Sequence, residues 1–210
     1  MNRCLYVVDP ASQLYTLDPA TASSRLVGPV GMSQVTDLAF HGPTLYGVGF
    51  SQFLRLDPDA GSGVTIGATG FQTNGLAVAA DGTPYAGTTA GELVRINPVT
   101  GVGTVVGNFG GGLTSSGDLA FDSNNVLYGT VDSGGTDLLA RIDHNTGAAT
   151  TIGPTQLSNV YGLAFFCCRL YAVAENGELA NVDVGSGRAT VIARNTLTQW
   201  GLTARPCCGC

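Results

Sequence analysis

The amino-acid sequence predicts an all-β fold, a five-bladed β-propeller in which each blade is a sheet of four antiparallel strands. The first observation is a phrase of four short apolar runs at positions 118–153, separated by turns rich in Gly, Asn, Asp and Ser, which is typical of four consecutive strands. The second is that this phrase recurs every 38 to 44 residues, and a repeat of about 40–45 residues is typical of propeller blades. One leucine marks each copy: Leu38, Leu76, Leu119, Leu163 and Leu202.

The third observation is that the two ends of the chain complete one blade together. Residues 5–28 supply the second, third and fourth strands of a blade, and Trp200–Ala204 repeats the pattern of the first strands. We therefore expect the ring to close with five blades and no open sheet edge at the closure. A single domain is predicted over 1–210, with blades at approximately 36–73, 74–116, 117–160, 161–199, and 200–210 joined to 1–35.

Each strand position of the blade repeats its own residue types. The first strands are short apolar runs: Asp37–Phe40, Gly75–Val78, Asp118–Phe121, Gly162–Phe165 and Gly201–Ala204. The second strands carry one tyrosine each: Tyr6, Tyr46, Tyr85, Tyr128 and Tyr171. A residue that recurs in every blade is expected to pack between sheets, so we assign these tyrosines to the core. The third strands end in Asp or Asn, whose side chains stabilise the turn that follows.

The composition argues against nucleic acid as a partner and against a membrane-spanning helix. Charged residues make up 11% of the chain, lysine is absent and the net charge is −6, so no basic surface for nucleic acid is expected. The chain contains no run of 18 apolar residues, which excludes a membrane-spanning helix.

The compartment has two interpretations. The chain enters a predicted strand at Leu5 and leaves no room for a signal peptide, which fits either a cytoplasmic protein or an exported one without its leader. Six cysteines, the absence of lysine and a surface rich in Gly, Thr, Ser and Ala favour an extracellular or cell-surface location.

The repeat resembles those of a known group of proteins. The phrase Leu-Tyr-Gly, Leu-x-Arg-Ile-Asp-Pro-x-Thr-Gly and Thr-Thr-Ile-Gly resembles the repeats of bacterial secreted and surface β-propellers. The resemblance covers essentially the whole chain, but only at structural positions. It implies the fold and an extracellular or cell-surface setting, and it implies no catalytic residue.

The cysteines are predicted to lie together on one face of the disc, in two neighbouring blades. They occupy equivalent turns between first and second strands: Cys167 and Cys168 in one blade, and Cys4, Cys207, Cys208 and Cys210 in the shared blade. Three interpretations stay open. They are disulfides within the chain, one of which would join Cys4 to the C-terminal tail, a thiolate site for Zn²⁺, and disulfides between discs. Six cysteines allow 15 pairings, so the connectivity is undetermined.

The opposite face carries the candidate ligand site, at the mouth of the central channel. The residues that lead into the first strands are Thr36, Asp37, Asn74, Asp118, Tyr161 and Trp200. Two carboxylates with nearby Asn and Thr oxygens are a donor set for Ca²⁺, and two aromatic rings are a stacking platform for a sugar. The structural alternative is that the aspartates cap backbone groups at a tight bend and that Trp200 fills the channel.

Three functions follow from these features. The first is a non-enzymatic extracellular or cell-surface module that assembles with other copies of itself or binds a surface protein or glycan, stabilised or cross-linked by the cysteines. The second is a carbohydrate- or Ca²⁺-dependent ligand-binding propeller. The third is a propeller hydrolase or lyase, whose acid–base chemistry would fall to Asp37 and Asp118. No cofactor is expected beyond Ca²⁺ or Zn²⁺, and no catalytic triad or phosphate-binding loop is identifiable.

Overall fold

The computed structural model describes residues 5–132, 134 and 136–205. Twenty strands form five antiparallel sheets of four strands, which confirms the predicted all-β architecture and the number of blades. The described residues include no helix of the length and apolarity that crossing a membrane requires.

The strands are numbered in chain order, and each blade is a meander from the channel outwards. Blade I consists of β4 (Val35–His41), β5 (Thr44–Gly49), β6 (Gln52–Leu56) and β7 (Gly63–Ala68). Blade II consists of β8 (Thr73–Val78), β9 (Pro84–Thr88), β10 (Glu92–Ile96) and β11 (Gly103–Asn108). Blade III consists of β12 (Thr114–Phe121), β13 (Leu127–Asp132), β14 (Leu138–Ile142) and β15 (Ala149–Pro154). Blade IV consists of β16 (Val160–Phe166), β17 (Arg169–Ala174), β18 (Glu178–Val182) and β19 (Ala189–Arg194).

Blade V is shared by the two ends of the chain, as the repeat count predicted. Its innermost strand is β20 (Trp200–Ala204), which is followed outwards by β1 (Leu5–Val8), β2 (Gln13–Leu17) and β3 (Ser24–Pro29). Strand β20 pairs antiparallel with β1, and Leu5 lies opposite Ala204. The innermost strands β4, β8, β12, β16 and β20 follow one another around the channel and close the ring.

Burial decreases from the channel to the rim. The inner strands are buried along most of their length, as are all five residues at positions 35–39 of β4, because both faces contact neighbouring sheets. The outermost strands carry exposed residues, including Leu26 and Val64. The core therefore consists of five apolar layers, one between each pair of adjacent blades.

The tyrosines at the repeated position belong to these layers, as predicted. Tyr6 is completely buried, and its ring meets Phe40 of the next blade edge to face at 5.3 Å between centroids. Tyr85 makes the same contact with Phe121 at 5.8 Å. Each tyrosine of these pairs thus joins its blade to the following one, and such edge-to-face pairs add to the stabilisation that burial provides.

The interface between blades IV and V departs from the pattern of the other four. Elsewhere, a glycine of the outer strand lies against a glycine in the turn of the next blade, as Gly107 does against Gly147. Between blades IV and V, alanines Ala193 and Ala22 pack together instead. Ala22 takes a positive φ of 56°, a conformation that glycine adopts more easily.

Candidate functional site

The inner strands are irregular where they reach one mouth of the channel. In blade I the register skips Thr36, because Val35 lies opposite Gly49 while Asp37 lies opposite Val48. The register skips Asn74 in blade II and Tyr161 in blade IV in the same way. An extra residue in one strand is a β-bulge, which bends the strand and redirects a side chain. These bulges give the mouth its functional groups.

A cavity of about 240 Å³ lies at this mouth. It is lined by side chains or backbone from blades I to V: Thr36, Phe50, Asn74, Ser116, Gly117, Tyr161, Glu175 and Trp200. Four of the six candidate residues predicted from the sequence are thus brought together. The other two, Asp37 and Asp118, do not line the cavity, and both are 0% exposed.

Asp37 and Asp118 bind each other and the backbone at the centre of the ring. The two carboxyl groups hydrogen-bond to one another. Together they accept a backbone N–H from the repeat leucine of every blade. Asp37 accepts from Leu38 at 2.7 Å and Leu76 at 2.5 Å. Asp118 accepts from the remaining three: Leu119 at 2.5 Å, Leu202 at 3.3 Å, and Leu163.

Both carboxyls of the aspartate pair bind a proton more tightly than an exposed carboxyl does. Burial raises the pKa of Asp118 to about 8, and burial together with the neighbouring Asp118 raises the pKa of Asp37 well above its ordinary value. Two adjacent buried carboxyls cannot both ionise cheaply, so one proton shared between them lowers the electrostatic cost. The N–H donors stabilise the remaining negative charge.

Two of the three glycines at the equivalent position in the other blades make room for this pair. Gly75, Gly162 and Gly201 occupy the position that aspartate takes in blades I and III. A Cβ at Gly75 would lie 3.2 Å from Cα of Asp118, and a Cβ at Gly201 would lie 2.7 Å from Cα of Asp37. The alternation of Asp and Gly along the repeat therefore reflects the space at the axis of the ring.

This geometry matches the structural alternative for the two aspartates, since their oxygens cap backbone N–H groups. Within the described part of the chain, no group of three or more His, Cys, Asp or Glu residues is arranged to hold a metal ion. Binding of Ca²⁺ by Asp37 and Asp118 stays a prediction, and it would require N–H donors to lose their acceptors.

Two polar atoms of cavity-lining residues are buried without a hydrogen-bond partner. Asn74 donates from Nδ2 to the backbone oxygen of Ser115 at 3.0 Å, while its Oδ1 has no donor. The indole N–H of Trp200 has no acceptor. Buried polar groups in proteins are nearly always paired, so these two atoms are exceptions among the residues that line the cavity.

The wall formed by blades III and IV is acidic. Glu175 lines the cavity, and its Oε2 accepts a hydrogen bond from Asn159 at 2.8 Å. Asp137 is 5% exposed and accepts from the hydroxyl of Ser116 at 2.5 Å. Burial first, and then the charges of these two carboxylates, raise the pKa of Tyr161. The negative potential at Tyr161 would favour a ligand that carries positive charge.

Sequence reasoning missed Phe50, Ser116 and Glu175. Phe50 and Glu175 each follow directly on the second strand of their blade, at the end nearest this mouth. The repeat alignment could have located both, because the residue after a second strand lies beside the residue that leads into the first strand.

The predicted cysteine cluster is described only in part. Cys167 and Cys168 form the two-residue turn between β16 and β17, as predicted, and both have positive φ, at 48° and 60°. Cys168 is exposed and free, whereas Cys167 is not free. Cys4, Cys207, Cys208 and Cys210 lie outside the described residues, so the cluster and a Zn²⁺ site within it stay predictions.

Comparison with known proteins identifies the fold and no family. No protein-family model matches the chain, and no curated protein matches its sequence. The resemblance to bacterial secreted and surface repeats therefore stays a prediction at the level of the repeat type.

Solved structures of low sequence identity share the architecture. One chain of a nidogen/laminin complex is 12% identical with a TM-score of 0.68, and the match covers 96% of this chain and 97% of that one. The extracellular domain of a one component system from B. thetaiotaomicron is 16% identical with a TM-score of 0.52, and the match covers 93% of this chain and 29% of that one. The PQQ-bound aldose sugar dehydrogenase from Streptomyces coelicolor is 17% identical with a TM-score of 0.53, with 89% and 76% covered. These similarities establish that the chain has a propeller fold.

Proposed function

We propose that this protein is a non-enzymatic extracellular or cell-surface interaction module whose binding site is the cavity at the channel mouth. The observation that carries the proposal is the convergence of Thr36, Asn74, Tyr161 and Trp200 on one cavity, together with the unpaired polar atoms of Asn74 and Trp200. Function on a propeller belongs to the site and not to the fold, so the cavity is the basis of the assignment.

The comparisons support the extracellular setting. One similar chain comes from a complex between nidogen and laminin, and another is an extracellular domain. Both are only distantly similar, and they favour a module that binds a partner outside the cell.

The enzyme alternative receives less support from the geometry. A sugar dehydrogenase is among the similar structures, so the fold itself is compatible with catalysis. Acid–base chemistry was predicted to fall to Asp37 and Asp118, and these carboxyls are fully buried and hydrogen-bonded to the backbone. A general acid or base must reach the proton that it transfers, and neither residue lines the cavity.

Tryptophan fluorescence tests the binding proposal directly, because Trp200 is the one tryptophan in the sequence. We expect a ligand at the mouth to shift its emission, and we expect Asn74→Ala to weaken binding by about tenfold through loss of a buried acceptor. The ligands to screen are a glycan array, surface proteins and Ca²⁺.

A matched control is Val99→Ala, at a side chain that is 82% exposed and does not line the cavity. This variant should bind like the unmodified protein. If no ligand changes the emission or binds by calorimetry, the mouth is not a binding site.

Self-association through cysteine is a second candidate, favoured by the free and exposed thiol of Cys168. The turn presents this thiol at the surface, where a second copy can form a disulfide with it. Under oxidising conditions we expect disulfide-linked dimers. A reductant should dissociate them, and the Cys168→Ser variant should not form them. Gel filtration and non-reducing gels measure this, and Ser186→Ala, in an exposed turn of the same blade, is the control. A monomer under both conditions would eliminate the candidate.

A further inference from the structure

The chemical composition of the cavity wall narrows the ligand class. Three aromatic residues, Phe50, Tyr161 and Trp200, line the cavity together with Glu175, and none of the described lining residues is basic. We propose that this cavity binds an alkylated ammonium group, such as the trimethylammonium head of choline. The inference rests on the proposed function, because it assigns a ligand class to the same site.

The aromatic rings come from three different blades. Phe50 belongs to blade I, Tyr161 to blade IV and Trp200 to blade V. None of the ring pairs found within the described residues joins two of these three side chains. The rings are therefore spread around the cavity wall instead of being stacked on one another. Several aromatic rings around one cavity attract a cation through their negative faces, and this attraction strengthens where water is excluded.

The charge of the wall selects a cation over an anion. Glu175 is partly buried, and it accepts its hydrogen bond from the neutral amide of Asn159. Asp137 accepts hydrogen bonds from the hydroxyl of Ser116 and the N–H of Val160, and burial raises its pKa, so Glu175 is the main source of negative charge at the cavity. Neither carboxylate forms an ion pair with an arginine in the described part of the chain. An anionic ligand would therefore be repelled by the charge of Glu175, whereas a cation would be attracted to it.

The size of the cavity indicates a small group and not an extended chain. Its volume of about 240 Å³ lies below the roughly 300–1,000 Å³ typical of sites for drug-sized ligands. A head group or the end of a modified side chain fits this space, while the rest of a larger molecule would remain outside the mouth.

The unpaired polar atoms suit a cation that carries a nearby hydroxyl. The indole N–H of Trp200 is a donor and Oδ1 of Asn74 is an acceptor, and neither has a partner. Both atoms are buried from solvent, so a ligand hydroxyl would bond to them only after their side chains turn towards the cavity. Choline supplies both a trimethylammonium group and a hydroxyl two carbons away. It is therefore the appropriate first probe.

The test compares choline with 3,3-dimethylbutan-1-ol, which has the same shape with carbon in place of the charged nitrogen. Binding is measured by calorimetry and by the emission of Trp200. We expect choline to bind at least about tenfold more tightly than the neutral alcohol, because the cation–π and charge interactions are lost with the charge. We also expect Glu175→Gln to weaken choline binding by about three- to tenfold.

Glu92→Gln is the matched control, since Glu92 is also partly buried and does not line the cavity. It should leave choline binding unchanged. Thermal unfolding of both variants shows that each is folded.

The outcomes separate the two proposals. Equal affinity for choline and the neutral alcohol, or no effect of Glu175→Gln, overturns the assignment of a cation. Binding of glycans without binding of choline also overturns it and leaves the mouth as a ligand site. If choline, glycans and surface proteins all fail to bind, both the ligand class and the proposed function are wrong.

Discussion

At the scale of single residues, Asp37 and Asp118 show how a buried charge can serve a structural role. Five backbone N–H groups point to the axis of the ring, and an unpaired N–H there would cost free energy. Two carboxyl groups accept all five. The cost of burying them is lowered by the proton that they share, so the pair is sensitive to pH.

We predict that the stability of the protein decreases as pH rises from about 4 to 8. The pKa of Asp118 is raised to about 8 in the folded state, so the folded protein binds more protons than the unfolded chain above about pH 4. The stabilisation from this proton is complete below about pH 4 and is lost as pH rises through 8. Thermal unfolding across this range measures the slope.

Asp118→Asn tests the origin of this slope. The amide cannot ionise, so the slope should flatten, and the amide nitrogen would face N–H donors and destabilise the protein by about 1–3 kcal/mol at pH 5. Asp143→Asn is the control, because Asp143 is an exposed turn residue and Asn97 occupies the equivalent turn. An unchanged slope in Asp118→Asn would show that the pair does not hold the proton.

The sequence could predict where these residues lie but not how they pair. The repeat alignment placed Asp37 and Asp118 at the channel and offered the capping of backbone groups as one interpretation. That the two carboxyls touch each other across the axis depends on the radius of a five-bladed ring, which no local pattern encodes. The same limit applies to Trp200, whose unpaired N–H is a property of the packed structure.

At the scale of the strand, the bulges at the mouth explain why the site could be predicted only in part. The repeat position predicts three of the site residues, because each directly precedes a predicted first-strand run: Thr36, Asn74 and Tyr161. In the structure these residues lie at the bulges inside the first strands. The bulge itself is not visible in the sequence, since it depends on the register with the neighbouring strand. Ser116 escaped notice because blade III has a longer irregular segment between Ser115 and Leu119.

The inner strands also tolerate little extra volume, which gives a second prediction. A Cβ at Gly162 would lie 2.5 Å from Cγ2 of Val173 and 2.6 Å from Cβ of Leu202. We expect Gly162→Ala to destabilise the protein by about 1–3 kcal/mol through overpacking between blades IV and V. Chemical denaturation measures the difference in unfolding free energy.

Gly185→Ala is the matched control for this substitution. The nearest atom to a Cβ at Gly185 is Oδ1 of Asp183 at 3.5 Å, an ordinary contact distance. Its stability should change by less than about 1 kcal/mol. Equal destabilisation of both variants would mean that crowding at the inner strand is not the cause.

At the scale of the molecule, the ring is closed by hydrogen bonds between its first and last described strands. Counting repeats was sufficient to predict this closure. The N-terminal blade lacks a first strand and the C-terminal end has an additional one, so the two ends can complete one blade only by pairing with each other. The repeats show alanine at positions 22 and 193 where the other blades have glycine, but that these two positions belong to one interface depends on how the outer strands and turns meet.

We predict that removing residues 200–210 prevents stable folding. The deletion exposes β1 as an inner edge and removes the N–H of Leu202 from the aspartate pair. Circular dichroism and gel filtration should show loss of the cooperative transition and aggregation.

A circular permutant is the control for this deletion. It joins residues 1 and 210 with a short linker and opens the chain at Gly111, an exposed residue between blades II and III where an added Cβ would have no atom within 4 Å. It keeps all five sheets and should unfold cooperatively near the temperature of the parent protein. If the permutant does not fold while the deletion variant unfolds cooperatively, β20 is not required to close the ring.

Because two aspartates accept the five N–H groups of the repeat leucines, the order of the repeats along the chain is fixed. Asp37 serves blades I and II, and Asp118 serves blades III, IV and V, so a shuffled gene that placed both acidic repeats side by side would leave amides on the far side of the ring without an acceptor. The backbone has nearly fivefold symmetry, but the two aspartate side chains at the axis determine the order in which the blades can follow one another.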